Sequence, residues 1–356
     1  MRRIPESSLR RILITRTDRI GDVALSTPVF KAVREAFPGA YIGVIVLPHA
    51  REIVQGNPFI NETIVYDKKG AQKNLFGNLL FAWKLRRGKW DAAVHLHPTH
   101  RMHWAAFLAG IPFRIGYDRK AGRLLTHRIE EKKREGEKHE AEYNFDLLDF
   151  LGVPKPGRLE LFFPLNEENR IAFEKLSNSQ GFHSYEKRYV VIHPSASSPS
   201  KIWPAERFSM LADVLYERYG LKCVLVGSQE DAPRAETVRN LMKHPAVNLS
   251  GKLSIGMLGW LLKRARLVIS NDSGPVHIGV ACGAPVLSIF GRNEPGLGPK
   301  RWGPLGEKSR YIQKDVGCFF CLADDCKIDF LCLRALKVEE VLDAVRGLEK
   351  FFLEPC

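Results

Sequence analysis

The sequence predicts an α/β protein made of two doubly wound domains with parallel sheets. Three observations predict it. Short apolar strands alternate with helical patterns up to about residue 151 and again from 189 to 290, the rhythm of parallel sheets covered by helices on both faces. A Pro-rich stretch, residues 152–164, separates the two series and reads as a linker. Leu267–Gly291 then runs strand, tight polar turn, helix, strand without a break.

At 356 residues the chain can bury two cores. Its 45% hydrophobic content is that of a globular protein. The net charge of +14 points to acidic partners: nucleic acid, anionic membrane or phosphorylated substrates. No apolar run approaches the ~20 residues of a membrane span. The basic N-terminus leads straight into a strand, without the apolar core of a signal peptide. The cytoplasm is therefore expected.

In the first series, strands are expected at residues 10–16, 41–47, 63–66, 92–96 and 113–116. One helix runs from Gly21 through Ala36, and others cover 49–55, 74–86 and 103–109. Residues 117–144 are rich in Lys, Arg and Glu with little apolar periodicity and read as a solvated loop, with a binding element as the alternative. A helix follows over 142–151. After the linker come a helix at 167–177 and a polar stretch at 181–187. The second series places strands at 189–193, 222–226, 247–249, 267–270 and 285–290. Its helices lie at 204–219, 231–242, 255–264 and from Pro275 to Gly283. An amphipathic helix over 338–352 closes the chain. The expected domains are residues 1–165, 166–336 and a terminal helical segment, 337–356. Two such halves joined by a linker put a ligand in the cleft between them, at the carboxyl ends of both sheets.

Several stretches carry candidate chemistry. Asn271-Asp272-Ser273-Gly274 lies between a buried strand and a helix start, where free N–H groups and the positive helix end suit a phosphate; an ordinary capped turn is the alternative. Asp22 follows the first strand and is either a base for a substrate hydroxyl or a helix cap. His193–Pro204 (HPSASSPSKIWP) offers hydroxyls and Lys201, a point charge of the kind used against phosphates. Glu230 and Asp231 lie just past a strand end, where a carboxylate can hold a ribose diol or cap the next helix. No GxGxxG, Walker A or HExxH pattern is present, which disfavours fingerprint NAD enzymes, P-loop NTPases and zincins.

Cys318, Cys321, Cys326 and Cys332 could bind structural Zn²⁺ or an iron–sulfur cluster, stay reduced, or pair as disulfides. Within residues 73–90, Leu75, Phe76, Leu79, Leu80 and Trp83 form one helical face beside Lys84, Arg86, Arg87 and Lys89. That face is expected to pack on its own sheet, with anionic lipid as the alternative.

The chain from Ile12 to about Phe290 resembles glycosyltransferase family 9, the lipopolysaccharide heptosyltransferases. The resemblance rests on RTDRIGDVALSTP (Arg16–Pro28), HPSASSPSKIWP (His193–Pro204), LVGSQED (Leu225–Asp231) and NDSGPVHIGVACGAPVLSIFG (Asn271–Gly291), in family order. It implies a GT-B fold, two Rossmann-like domains facing a central cleft, with the acceptor on the first and a nucleotide-sugar on the second. The terminal helix is implied to return toward the N-terminal domain. The implied enzyme is an inverting transferase that moves heptose from ADP-L-glycero-D-manno-heptose to the inner core of lipopolysaccharide. Asp22 matches the proposed base, Lys201 a lysine on the donor diphosphate, and Asp231, or else Glu230, the ribose carboxylate. Leu253 falls where a side chain lines the adenine. Asp272 falls at the sugar, Ser273 and Gly274 at the diphosphate, and His277 in the same pocket. Ser195 and Ser197 fall near donor-contacting hydroxyls. The resemblance implies no required cofactor, an anionic lipid-core acceptor, no nucleic-acid partner, and a peripheral place at the inner face of the cytoplasmic membrane. Rival readings are another donor or acceptor in the same family, or a nucleotide-sugar-binding or nucleic-acid-binding protein without turnover.

Overall fold

A computed structural model describes residues 3–185, 188–318 and 320–353. The last three residues of the segment 337–356, and residues 186–187 of the polar stretch, lie outside the described residues. The chain divides into two compact units: residues up to 134 together with 138–164, and 135–137 together with 165 onward.

The first unit carries β1 (Arg11–Thr15), β2 (Tyr41–Val46), β3 (Glu62–Val65), β4 (Ala92–His95), β5 (Phe113–Tyr117) and β6 (His127–Ile129). All pair parallel, in the order β3-β2-β1-β4-β5-β6. The second unit carries β7 (Tyr189–His193), β8 (Lys222–Leu225), β9 (Ala246–Asn248), β10 (Leu267–Asn271), β11 (Val286–Phe290) and β12 (Ser309–Gln313). These also pair parallel, in the order β12-β11-β10-β7-β8-β9. Counted from its own first strand, each sheet has the same order. Each winds outward from one central pair, β1 beside β4 and β7 beside β10. Loops leaving the carboxyl ends of such a pair diverge to opposite faces and open a crevice for ligands.

The central strands are apolar because both of their faces are covered. Ile12, Leu13 and Ile14 of β1 have no exposed surface, nor do Val190, Val191 and Ile192 of β7. The edge strands β6 and β12 are absent from the sequence reading. They carry exposed groups such as Arg128, Arg310 and Tyr311 and no fully buried residue, so neither presents an apolar run.

The expected helix from Gly21 to Ala36 is two helices, Ile20–Ala24 and Thr27–Ala36. Pro28 cannot donate to the preceding turn. The Ser26 and Thr27 hydroxyls instead donate to the carbonyls of Asp22 and Ala24, at 2.8 and 2.7 Å. The charged stretch 117–144 is not simply a solvated loop. It forms β6 and the start of the helix Glu140–Asp146, and it buries Lys133, Glu140 and Asn144.

In the terminal segment, Val338–Arg346 buries its apolar side in the second unit. Val341 and Val345 pack there in one core with Leu211, Leu215 and Trp203.

Candidate active site

In the first unit the site residues collect at the carboxyl ends of β1 and β4. Arg16, the residue after β1, is 2% exposed and organises them. Its Nε donates to Asp18 Oδ1 at 2.9 Å and its Nη2 to Asp22 Oδ1 at 2.7 Å. The same guanidinium reaches Glu140 Oε1 at 3.1 Å and Asn144 Oδ1 at 3.0 Å. Lys133 Nζ shares that Glu140 oxygen at 2.7 Å. Burial opposes the charge on Arg16, but Asp18, Asp22 and Glu140 outweigh it and hold the guanidinium cationic. A buried charge is tolerated only when paired and hydrogen-bonded in this way.

Asp22 is therefore an oriented carboxylate, one oxygen fixed by Arg16 and the side chain 12% exposed. Asp18 is the neighbour that sequence reasoning passed over, although it stands in the same motif. Burial pushes its pKa up to about 7, with Asp22 and Glu140 adding to the rise and Arg16 opposing it. His97 lies 3.9 Å from Asp18, and burial lowers its pKa to about 3, so it is neutral there. A hydrogen bond of 2.9 Å between Thr15 Oγ1 and His95 Nδ1 ties the ends of β1 and β4 together. The unit thus offers an aimed carboxylate beside a second carboxyl group that titrates near neutrality, the arrangement acid–base chemistry uses.

In the second unit the loops after β10, β7 and β8 meet at the matching edge. Ser273 precedes the helix Gly274–Ala281, but its side chain makes no capping bond to that helix. Its hydroxyl is 3.0 Å from His193 Nδ1 and 2.8 Å from Ser270 Oγ. The Ser273 side chain therefore leaves the Gly274 N–H and the positive helix end open to another acceptor, although Pro275 has no N–H and the Val276 N–H donates to the Ser273 carbonyl at 3.2 Å. Gly283, with φ of +78°, ends the helix region as the pattern of Pro275 and Gly283 predicts. Lys201 Nζ lies 2.5 Å from Asp272 Oδ2, and both side chains are largely buried.

Asp231 does not cap the helix that follows it. Its Oδ2 accepts from the Ser228 N–H and hydroxyl, at 2.8 and 2.7 Å. Hydrogen bonding to His193, then to Ser228, holds the carboxyl well below the usual range against the effect of burial, so it is ionised. Glu230 is exposed on the same turn. Ser195 is buried, and its hydroxyl has no hydrogen-bond partner among the described residues, which marks it as a group awaiting a ligand or water. Ser197 is exposed, His277 is buried in the helix, and Leu253 is half-buried ahead of Ser254, which caps the helix Ile255–Arg264.

A further cluster was not legible from spacing. Arg292, just past β11, donates to Ser200 Oγ at 2.7 Å and Ser198 Oγ at 2.8 Å, and contacts Asp324 Oδ1 at 3.0 Å. Trp203, fully buried, receives its place from Asn271 Oδ1, which accepts the Trp203 N–H at 3.1 Å. The loop that carries Lys201 is thus held at both ends.

Asp324 comes from the cysteine segment. Cys318, Cys321, Cys326 and Cys332 line a cavity of about 420 Å³ together with Arg292 and Ser200. They carry free thiols, and no three His, Cys, Asp or Glu among the described residues are arranged to hold a metal ion. What the segment visibly supplies is Asp324.

The expectation for residues 73–90 is also corrected. Phe81, Ala82 and Leu85 of the helix Leu75–Arg87 are buried. Leu75, Phe76, Leu79, Leu80 and Trp83 are instead 46–75% exposed.

The family model described as "Glycosyltransferase family 9 (heptosyltransferase)" matches residues 79–331, well over half of the chain. The chain belongs to glycosyltransferase family 9. Lipooligosaccharide heptosyltransferase 2 of Haemophilus ducreyi is 25% identical over 313 residues, 85% of this chain and 88% of that protein. A family 9 glycosyl transferase from Veillonella parvula superposes with a TM-score of 0.82 at 26% identity, over 95% of this chain and 97% of that one. The Escherichia coli ADP-heptose lipopolysaccharide heptosyltransferase II shares the fold, with a TM-score of 0.78 at 21% identity over 95% and 98% of the two chains. This family 9 protein is a glycosyltransferase of the GT-B fold.

Proposed function

We propose that this transferase moves heptose from ADP-L-glycero-D-manno-heptose to the inner core of lipopolysaccharide, with inversion at the anomeric carbon. One observation carries the reading: the helix start at Gly274 is left uncapped by Ser273, and Lys201 is held within reach of neighbouring Asp272. A cation and a helix N-terminus after the central strands make a cradle for a diphosphate. The ionised Asp231 is an acceptor for a ribose diol, and the unpartnered Ser195 hydroxyl is a further donor-contacting group. The names of the relatives supply the sugar and the acceptor class.

Asp22, aimed by Arg16, takes the proton of the acceptor hydroxyl as that oxygen attacks the anomeric carbon. The bond from that carbon to the β-phosphate oxygen breaks, and ADP leaves with the electron pair. Lys201 and the helix N-terminus meet the negative charge that builds on the leaving group, where such fixed charge lowers the barrier most. Asp272 is released from Lys201 to face the sugar. The acceptor is an anionic lipid, so the enzyme works at the inner face of the cytoplasmic membrane.

Transfer assayed with ADP-heptose and a heptose-deficient lipopolysaccharide core tests this reading, with other nucleotide-sugars run alongside. A heptosylated core of inverted anomeric configuration is the expected product. Transfer from another nucleotide-sugar with none from ADP-heptose overturns the donor assignment.

A further inference from the structure

The helices Leu75–Arg87 and His100–Leu108 pack against one another in the first unit and leave an apolar face uncovered. Of the seventeen large apolar side chains that are exposed among the described residues, eight lie on these two helices. Five are those already named between Leu75 and Trp83. The others are Trp104, Phe107 and Leu108, each 43–44% exposed. Scattered exposed apolar residues need no explanation, but a concentration of them marks a contact surface.

The charge around this face is predominantly positive. Residues 67–89 hold seven Lys or Arg and a single carboxylate, Asp67, and neither helix contains an acidic residue. Lys73, Lys84, Arg86 and Arg87 are exposed, and none is paired with a carboxylate among the described residues. The Arg87 guanidinium sits 4.9 Å over the Trp83 ring, so cation and apolar surface are interleaved. Beside Trp104 opens a hollow of about 390 Å³ whose walls include His100, Arg119, Lys120 and Arg123, with one carboxylate, Asp118, paired to Arg128. Arg119 is paired with Glu131, whereas Lys120 and Arg123 have no carboxylate partner among the described residues.

We infer that this two-helix face docks in the plane of an anionic lipid leaflet, with its aromatic and leucine side chains among the acyl chains and its cations on the headgroup phosphates. The inference names the surface for the membrane contact proposed above and rests on that reading only for which membrane is bound. Three observations select lipid. At 13 and nine residues the helices are too short to span a bilayer, and none of the described helices is long and apolar enough to do so. An apolar face with Trp and Phe, flanked by Lys and Arg, is the composition of helices that lie at the interface. A second copy of the same face would bring two uncompensated cationic rims together, which like-charge repulsion opposes.

The test is flotation of the full-length protein with vesicles of phosphatidylcholine alone and of phosphatidylcholine with phosphatidylglycerol, with tryptophan emission recorded in parallel. Binding is expected to the anionic vesicles, with a blue shift and a marked loss at high salt. The double variant Phe76→Ser/Leu80→Ser should partition roughly tenfold more weakly. The variant Lys84→Glu/Arg87→Glu should lose the preference for anionic lipid. All four positions are exposed, so circular dichroism and melting temperature are expected to match the parent. Equal partitioning of parent and variants overturns the assignment. So does a dimer in sedimentation that the double variant dissolves while vesicle binding is absent. Transfer to a water-soluble core fragment is expected to survive both double variants. Loss of vesicle binding with retained transfer therefore concerns this surface alone, and failed transfer by a vesicle-bound parent concerns the reaction alone.

Discussion

Lys201 and Asp272 form a close ion pair, 2.5 Å between Nζ and Oδ2, at the carboxyl edge of the second sheet. The two residues, 71 positions apart in sequence, come from loops after β7 and β10, which are adjacent in the sheet. The pair keeps a buried ammonium in place for an anion and gives it a partner that a diphosphate can replace.

Lys201→Ala should weaken ADP binding by about ten- to a hundredfold, the worth of one charge-assisted hydrogen bond of ~1.5–3 kcal/mol. It also strands Asp272, so the variant should melt lower. Lys201→Ala/Asp272→Asn should recover stability without recovering affinity. Titration calorimetry with ADP and thermal melts read both, and unchanged affinity would remove Lys201 from the donor site.

Asp22→Asn keeps an acceptor for the Arg16 guanidinium but removes the proton acceptor. Transfer should fall by about 10²- to 10⁴-fold, while ADP affinity stays within about twofold of the parent. A variant that transfers at the parental rate would exclude Asp22 as the base.

Asp18 gives a signed pH dependence. Its folded pKa of about 7 lies above the ordinary aspartate value of 3.8. Between these values the folded state binds more protons than the unfolded state, so stability falls as pH rises through the window. The slope is at most about 1.4 kcal/mol per pH unit, and it vanishes above pH ~7. Urea unfolding at several pH values should show that decline in the parent and a flatter profile in Asp18→Asn. Parallel profiles would mean that Asp18 does not titrate there.

Arg292→Ala removes the donor that joins Ser198, Ser200 and Asp324. The loop from His193 to Pro204 should lose its outer anchor at a cost of about 1–3 kcal/mol. The KM for the nucleotide-sugar should rise several-fold more than kcat falls, because Lys201 is displaced rather than lost. Asp324→Asn should have the same direction and a smaller size, since that carboxylate is more exposed.

The sequence by itself determined the alternation of strands and helices, the two α/β series and the loops that carry the candidate chemistry. Fully covered strands such as β1, β7 and β10 must be apolar on both faces, and such runs are visible in a string of letters. The edge strands β6 and β12 escaped because they are short, polar and nowhere fully buried. Only the tertiary structure decided what each polar residue pairs with. Arg16 meets Glu140 across 124 positions, Arg292 meets Asp324 across 32, and Asp231 turns to Ser228 and His193 rather than to the helix it precedes. Hydrogen bonds and ion pairs depend on distances of about 3 Å, and distance between remote residues is set by strand order. The face from Leu75 to Trp83 carries the same lesson from the apolar side. Its periodicity announces a stripe, and only packing tells which stripe of a helix the sheet covers and which it leaves to another partner.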